Sequence, residues 1–402
     1  MSSEPQTRSW PVVWAIRLVV LVAFLDLFMQ VPIISTYARS LGATAAMGGL
    51  IVGIYSASNL FGNVGAGILL DRVNRKWLVV AGLLTTAALL FAYGLVDSPP
   101  QLLALRVLHG FAAGTLAPGA FTMLADRTAD DQHTRSMGLS GALISGSAVV
   151  GPLLSVGIRG AVGGDAGFAA VFTTSGTLML LSAVAFAVFV PTTESSDVHR
   201  TASNDESFSL IRNMGLVRVY LAVLAMTFAI GYLINLLPIT LEDVGAAPRM
   251  SGMAFATFSL AGMAIMASPL QRAAEDSSRA RAIAAGLALL GISNLTLALS
   301  GVSLLTVSVF PAMLVFGVGF GLVFPSLSAS VAARTAGGRR GTAFGIFYAM
   351  YSLGVFLGAS ISGVIPAFGI GAADRFYAPA LLILVMLLVS VRFRDLRRGN
   401  AP

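Results

Sequence analysis

Long apolar runs alternate with short polar breaks along the whole chain. The runs fall near residues 12–38, 45–70, 77–96, 100–125, 137–158 and 167–190, then near 216–240, 249–270, 282–300, 303–333, 341–366 and 376–393. Each supplies about the 20 apolar residues that an α-helix needs to cross a hydrocarbon core. The pattern predicts an all-α integral membrane protein with twelve transmembrane helices. The longest polar stretch, PTTESSDVHRTASNDESFSLIRN at 191–213, divides six spans from six. It predicts an N-terminal bundle at 1–190, a linker at 191–215 and a C-terminal bundle at 216–402.

Composition agrees. Of 402 residues, 56% are hydrophobic and 11% charged, whereas a soluble domain carries about a quarter charged residues. Lipid is therefore the expected surrounding partner. The chain has no cysteine, and His109, His133 and His199 are its three histidines, with no ligand spacing; neither a metal site nor a cofactor is implied. The net charge of +7 raises nucleic acid as a partner, but the basic residues lie scattered in short loops rather than on one face. Their distribution sets orientation instead. Twenty of the 25 lie on the side of the N-terminus, four lie on the other side, and Arg106 is inside a span. Both termini and the linker are expected in the cytoplasm, with the first span acting as its own insertion signal.

The two halves repeat. Arg106, Gly110, Gly114 and Pro118 step by four along the fourth span; Met313, Gly317, Gly321 and Pro325 do the same along the tenth, 207 residues later. Gly151 maps to Gly358 with the same shift, and Pro32 maps to Pro238 with a shift of 206. Glycines four apart share a helix face and allow close packing. Repeated halves that rock about a site between them are a common transporter design.

The loop after the second span reads GILLDRVNRK, from Gly67 to Lys76. It resembles the signature loop of the major facilitator superfamily at every defining position. LLALRVLHGFAAG at 102–114 is similar to that superfamily's R-x-x-x-G motif, linked with proton-coupled members. GSAVVGPLL at 146–154 is similar to the Gly-Pro motif of the twelve-span drug/proton antiporter branch, although Ser155 and Val156 stand where the branch carries two glycines. The resemblance implies two pseudo-repeated six-helix bundles in a bacterial inner membrane and monomeric secondary transport without enzymatic activity. It also implies that Gly67, Asp71, Arg72, Arg75 and Lys76 form a cytoplasmic latch; the charges could reach Asp126 at the end of the fourth span, and a plain positive-inside anchor is the other reading. Gly110, Gly114, Gly151 and Pro152 would serve as hinge and packing positions. In the second half only Gln271-Arg272 stands where Asp71-Arg72 would be, so the halves are not expected to work symmetrically.

Ionisable residues inside the spans are few: Asp26 in the first, Arg106 and His109 in the fourth. A charge at the bilayer centre costs about 2.5–3.5 kcal/mol on insertion scales, so Asp26 is expected to face the bundle interior or a water-filled cavity. Three readings stand: a proton-coupling carboxylate, the counter-charge of a cationic substrate, or a structural partner of Arg106. Arg106 could instead bond backbone carbonyls, and His109 is either a relay member or a packing residue. The second half offers no such carboxylate; Glu242 and Asp243 read as solvated loop charges. Met29, Gln30, Tyr55, Asn59, Tyr232, Asn235, Phe320, Phe324, Tyr348 and Tyr351 are the expected cavity lining. That mixture suits a small amphipathic or aromatic organic substrate better than a sugar or phosphate. The expected function is proton-coupled efflux by alternating access. A proton-coupled importer of an organic acid, anchored by Arg106, and a non-transporting sensor are the alternatives.

Overall fold

The computed structural model describes residues 10–70, 73–126, 133–192, 214–268, 279–334, 340–369 and 374–385. Its helices are α1 (Trp10–Gln30), α2 (Ile34–Ser40), α3 (Ala45–Leu70), α4 (Arg75–Ala92), α5 (Pro99–Ala113), α6 (Leu116–Asp126), α7 (His133–Val162) and α8 (Ala166–Phe189). They continue as α9 (Met214–Asp243), α10 (Arg249–Ala267), α11 (Arg279–Leu299), α12 (Gly301–Arg334) and α13 (Arg340–Val364). Short 3-10 turns cover Tyr93–Leu95, Ile365–Phe368 and Asp374–Phe376. Among the described residues, 11 helical stretches are long and apolar enough to cross a membrane. The twelfth apolar run is described only through its helical residues 377–385.

Two spans are broken. The first apolar run divides at 31–33, where Pro32 has no N–H for the helical ladder and biases Val31 away from the α conformation. The fourth divides at Gly114–Thr115, one turn before Pro118, which cannot donate to the Gly114 carbonyl. The repeat does not carry these breaks over. Pro238 lies inside continuous α9, and Pro325 inside continuous α12.

The chain forms two compact units, Met1–Val31 with Ala57–His199, and Pro32–Ser56 with Arg200–Pro402. In the first unit α1 packs on α7 and α8, α4 on α8 and α5. In the second α9 packs on α13, and α12 on α10 and α11. Equivalent glycines make equivalent contacts in each. A Cβ on Gly114 would meet the backbone of Asn59 and Asn63 on α3 at 2.8 Å; on Gly321 it would meet the Gly262 carbonyl on α10, also at 2.8 Å. A Cβ on Gly151 would lie 3.0 Å from the Met29 nitrogen; on Gly358 it would lie 2.9 Å from the Tyr232 nitrogen. The spacing seen in the sequence thus marks helix crossings made at backbone contact.

Since backbone cannot swing aside, Gly114→Leu is expected to destabilise the first unit by about 1–3 kcal/mol. A lowered unfolding midpoint in detergent would register the loss, and an unchanged midpoint would refute it.

Within the second unit Arg39, at the end of α2, pairs with Asp243, the last residue of α9, at 2.5 Å. Asp243 is therefore an ion-pair partner and not a free loop charge. Both side chains are over a third exposed, where such pairs contribute little stability.

Candidate functional site

Gln30, Arg106, His109 and Tyr93, all buried in the first unit, gather around Asp26. Asp26 and Gln30 lie four residues apart on α1, hence on one face. Arg106 and His109 lie three apart on α5, again on one face. Tyr93 comes from the 3-10 turn that ends α4. Gln30 Nε2 donates to Asp26 Oδ1 at 2.8 Å, and Arg106 donates to Gln30 Oε1 at 2.5 Å. The other carboxylate oxygen, Asp26 Oδ2, faces His109 Nε2 at 3.1 Å. The far ring nitrogen, His109 Nδ1, lies 3.1 Å from the Tyr93 hydroxyl. The order is Arg106, Gln30, Asp26, His109, Tyr93, across three segments of chain.

None of the five is more than 5% exposed. Asp26 therefore touches neither lipid nor bulk water, as its cost in a bilayer demands. Aromatic packing seals the far end: Tyr93 stacks on Phe172 of α8 at 4.3 Å between ring centroids, inclined by 20°. Beside it, the Ser175 hydroxyl donates to Met29 Sδ at 3.5 Å. The Gln30 amide bridges Arg106 and Asp26. The two facing atoms of Asp26 and His109 stand at ion-pair distance without the geometry of a hydrogen bond. Sequence reasoning placed Gln30 in the cavity lining and passed over Tyr93.

The remaining expected lining residues divide between the units. In the first unit, Met29 is buried beside Ser175, and Asn59 Nδ2 donates to the Gly110 carbonyl at 3.1 Å. In the second, Tyr55 is buried, Tyr232 donates to the Arg375 carbonyl at 2.7 Å, and Asn235 donates to Ser362 Oγ at 2.8 Å. Phe320 and Phe324 belong to a run of rings that passes through α10, α12 and α13. Phe258 meets Phe316 and Phe320 at 5.4 Å, Phe320 stacks on Phe324 at 5.5 Å, and Phe324 meets Phe347 at 6.0 Å and Tyr351 at 6.3 Å. Phe347 meets Tyr348 at 5.4 Å, and Tyr348 is 55% exposed. These rings hold one another by edge and stacking contacts.

Of the expected latch, Asp71 and Arg72 lie outside the described residues, as do the side chain of Asp126 and the surroundings of Gly67. Asn74 caps α4 by accepting from the Lys76 nitrogen at 3.1 Å. Arg75 Nε donates to the Leu70 carbonyl at 3.2 Å, tying α4 to the end of α3. Lys76 lies 5.1 Å from the Trp77 ring centroid. Pro152 sits inside α7, its carbonyl accepting from Ser155 at 3.1 Å.

The family profile described as Major Facilitator Superfamily matches residues 17–239 and 219–402. The chain belongs to the major facilitator superfamily. It is a multi-pass membrane protein of a transporter family. The inner membrane transport protein YajR of Escherichia coli is 26% identical over 392 residues, covering 95% of this chain and 83% of that protein. The quinolone resistance protein NorA of Staphylococcus aureus is 26% identical over 133 residues, about a third of each chain. Among solved structures, a POT family transporter in complex with a thioalcohol-conjugated peptide superposes with a TM-score of 0.80 at 11% identity, over 95% of this chain and 96% of that one. That likeness concerns the superfamily's fold.

Proposed function

We propose that this superfamily member is a secondary transporter that exports amphipathic or aromatic organic compounds in exchange for protons, in a bacterial inner membrane. The Asp26–His109 contact carries the reading. A buried carboxylate against a buried imidazole is a costly arrangement for packing alone, and buried membrane charges are usually functional. The pair can hold a proton in one state of the transport cycle and release it in another. Arg106 and Gln30 orient the carboxylate, and the aromatic run of the second unit supplies contact surface for planar substrates. The kinship with a quinolone resistance protein and with an inner membrane transport protein supports the substrate class and the location. Asp71, Arg72, Arg75, Lys76 and Asp126 serve as the cytoplasmic latch, 191–215 as the cytoplasmic linker joining bundles at 1–190 and 216–402, and both termini are cytoplasmic.

The test uses purified protein in liposomes under an imposed pH gradient. The panel is lipophilic aromatic cations, neutral planar drugs and organic acids. Flux of cations or planar drugs that rises with the gradient is expected, with organic acids unmoved. Gradient-independent flux would overturn the coupling, and acid flux the substrate class.

A further inference from the structure

The second unit carries an open apolar groove. It lies between α11 and the helical residues 377–385, and its volume is about 640 Å³. Its floor is a close approach of the two helices: a Cβ on Gly291 would stand 3.4 Å from Ile383. Its walls are apolar. Ile292 on one side, and Leu381 and Leu384 on the other, are each more than half exposed. One end differs. There the 3-10 turn Asp374–Phe376 places Asp374 and Arg375 on the lining, with Tyr377 beside them.

We propose that this groove binds a phosphatidylethanolamine of the surrounding bilayer, with one acyl chain along the groove and the headgroup on Asp374 and Arg375. The proposal is independent of the substrate and the coupling proposed above. Depth argues for a lipid chain. From Asp374 to Leu384 the lining descends about 15 Å at the helical rise, which is one leaflet of a hydrocarbon core about 30 Å thick. The charged end stands where the last apolar run begins, at 376. It therefore lies at headgroup level, where tyrosines such as Tyr377 are enriched.

Charge argues for the headgroup. Asp374 is exposed and Arg375 is half-buried. The phosphate of any phospholipid suits a guanidinium, whose planar fork can bind two oxygens at once. Its five N–H donors let it do so beside partners it already holds. Asp374 narrows the choice. A carboxylate repels phosphatidylglycerol, whose headgroup carries negative charge alone. The quaternary ammonium of phosphatidylcholine has no N–H to donate. Ethanolamine offers a cation with three N–H donors next to its phosphate. Adjacent opposite charges on the chain thus match adjacent opposite charges on the lipid. The same turn has a second contact: the Arg375 carbonyl accepts from Tyr232 of α9 at 2.7 Å. A headgroup held by this turn also steadies a buried side chain of α9, and bound lipid raises the unfolding midpoint by mass action.

The test is native mass spectrometry of the purified, delipidated protein in detergent. Phosphatidylethanolamine, phosphatidylglycerol and phosphatidylcholine with the same acyl chains are offered at equal concentration. The parent is expected to retain phosphatidylethanolamine several-fold over the other two. Asp374→Asn changes an exposed side chain and is expected to cut that binding about threefold to tenfold, leaving phosphatidylcholine unchanged and phosphatidylglycerol unchanged or raised. Arg375→Gln should weaken all three, and so should Ala288→Phe, which fills the deep end of the groove. Equal retention of the three lipids by the parent, or the parent's ranking kept in Asp374→Asn, overturns the proposal. A parent that prefers phosphatidylglycerol overturns it too, in favour of an anionic lipid. A dimer of the parent that Ala288→Phe breaks would make the groove an interface between copies and would also overturn it. If Ala288→Phe fails to fold, the ranking in Asp374→Asn decides, because that variant leaves the groove intact.

Discussion

Asp26→Asn should abolish the response of transport to a pH gradient while leaving the protein folded and inserted. Asparagine has the shape of aspartate, and the site can satisfy it. Its Oδ1 accepts from Gln30, as Asp26 Oδ1 does at 2.8 Å. Its Nδ2 then faces His109 Nε2, which becomes an acceptor, and Nδ1–H donates to Tyr93. The Gln30 bond is retained, so the substitution removes no hydrogen bond made by Asp26 Oδ1. What disappears is the carboxylate that could share a proton with the imidazole. The ratio of flux with the gradient to flux without it is expected to fall from at least about tenfold to about one, a loss comparable to removing one well-placed proton-transfer group. The unfolding midpoint and monodispersity in detergent, measured on the same preparation, should stay near those of the parent. A variant that still follows the gradient would remove Asp26 from coupling and leave it as a structural partner of its neighbours.

The anomaly that exposes this site is readable in the chain. A carboxylate inside an apolar run announces itself, and Arg106 and His109 share a face because they are three apart. Gln30 carried an equally plain signal, since it lies four residues after Asp26 on the same helix, but an amide at a span's end also reads as cavity lining. Tyr93 carried none. A tyrosine at the end of a span reads as an interfacial aromatic, and only the packing of α4 and α5 brings its hydroxyl to His109. The same division holds for the fold. Apolar run lengths located the spans because a bilayer fixes helix length. They did not show the breaks at 31–33 and 114–115, although Pro32 and Pro118 stood there, because proline is also tolerated inside membrane helices. Pro152, Pro238, Pro311 and Pro325 lie within continuous helices of this protein. Nor could run lengths assign Pro32–Ser56 to the compact unit that holds the second half.

Gln30→Leu is expected to have the largest effect on stability of any single change at the site. Leucine nearly matches glutamine in volume, so the packing term is small. The electrostatic term is not. Gln30 is 3% exposed and joins two charged side chains through one amide, accepting from Arg106 and donating to Asp26. Leucine deletes both bonds at once. Asp26 Oδ1 is left facing hydrocarbon, and the guanidinium loses a charge-assisted acceptor. Each such loss costs about 1–3 kcal/mol when the group stays buried, so a combined destabilisation of about 2–5 kcal/mol is expected, with a drop of several degrees in the unfolding midpoint. The second substitution separates the two bonds. In Asp26→Asn the oxygen facing residue 30 is neutral, and deleting its donor should cost less; the double variant Asp26→Asn with Gln30→Leu is therefore expected to be more stable than the sum of the singles. Additive effects would mean that the amide serves Arg106 alone. A Gln30→Leu midpoint equal to the parent's would mean that Arg106 and Asp26 regain partners by moving together. The glutamine thus ties Arg106 to Asp26 within one buried network, and its loss falls on both charged side chains at once.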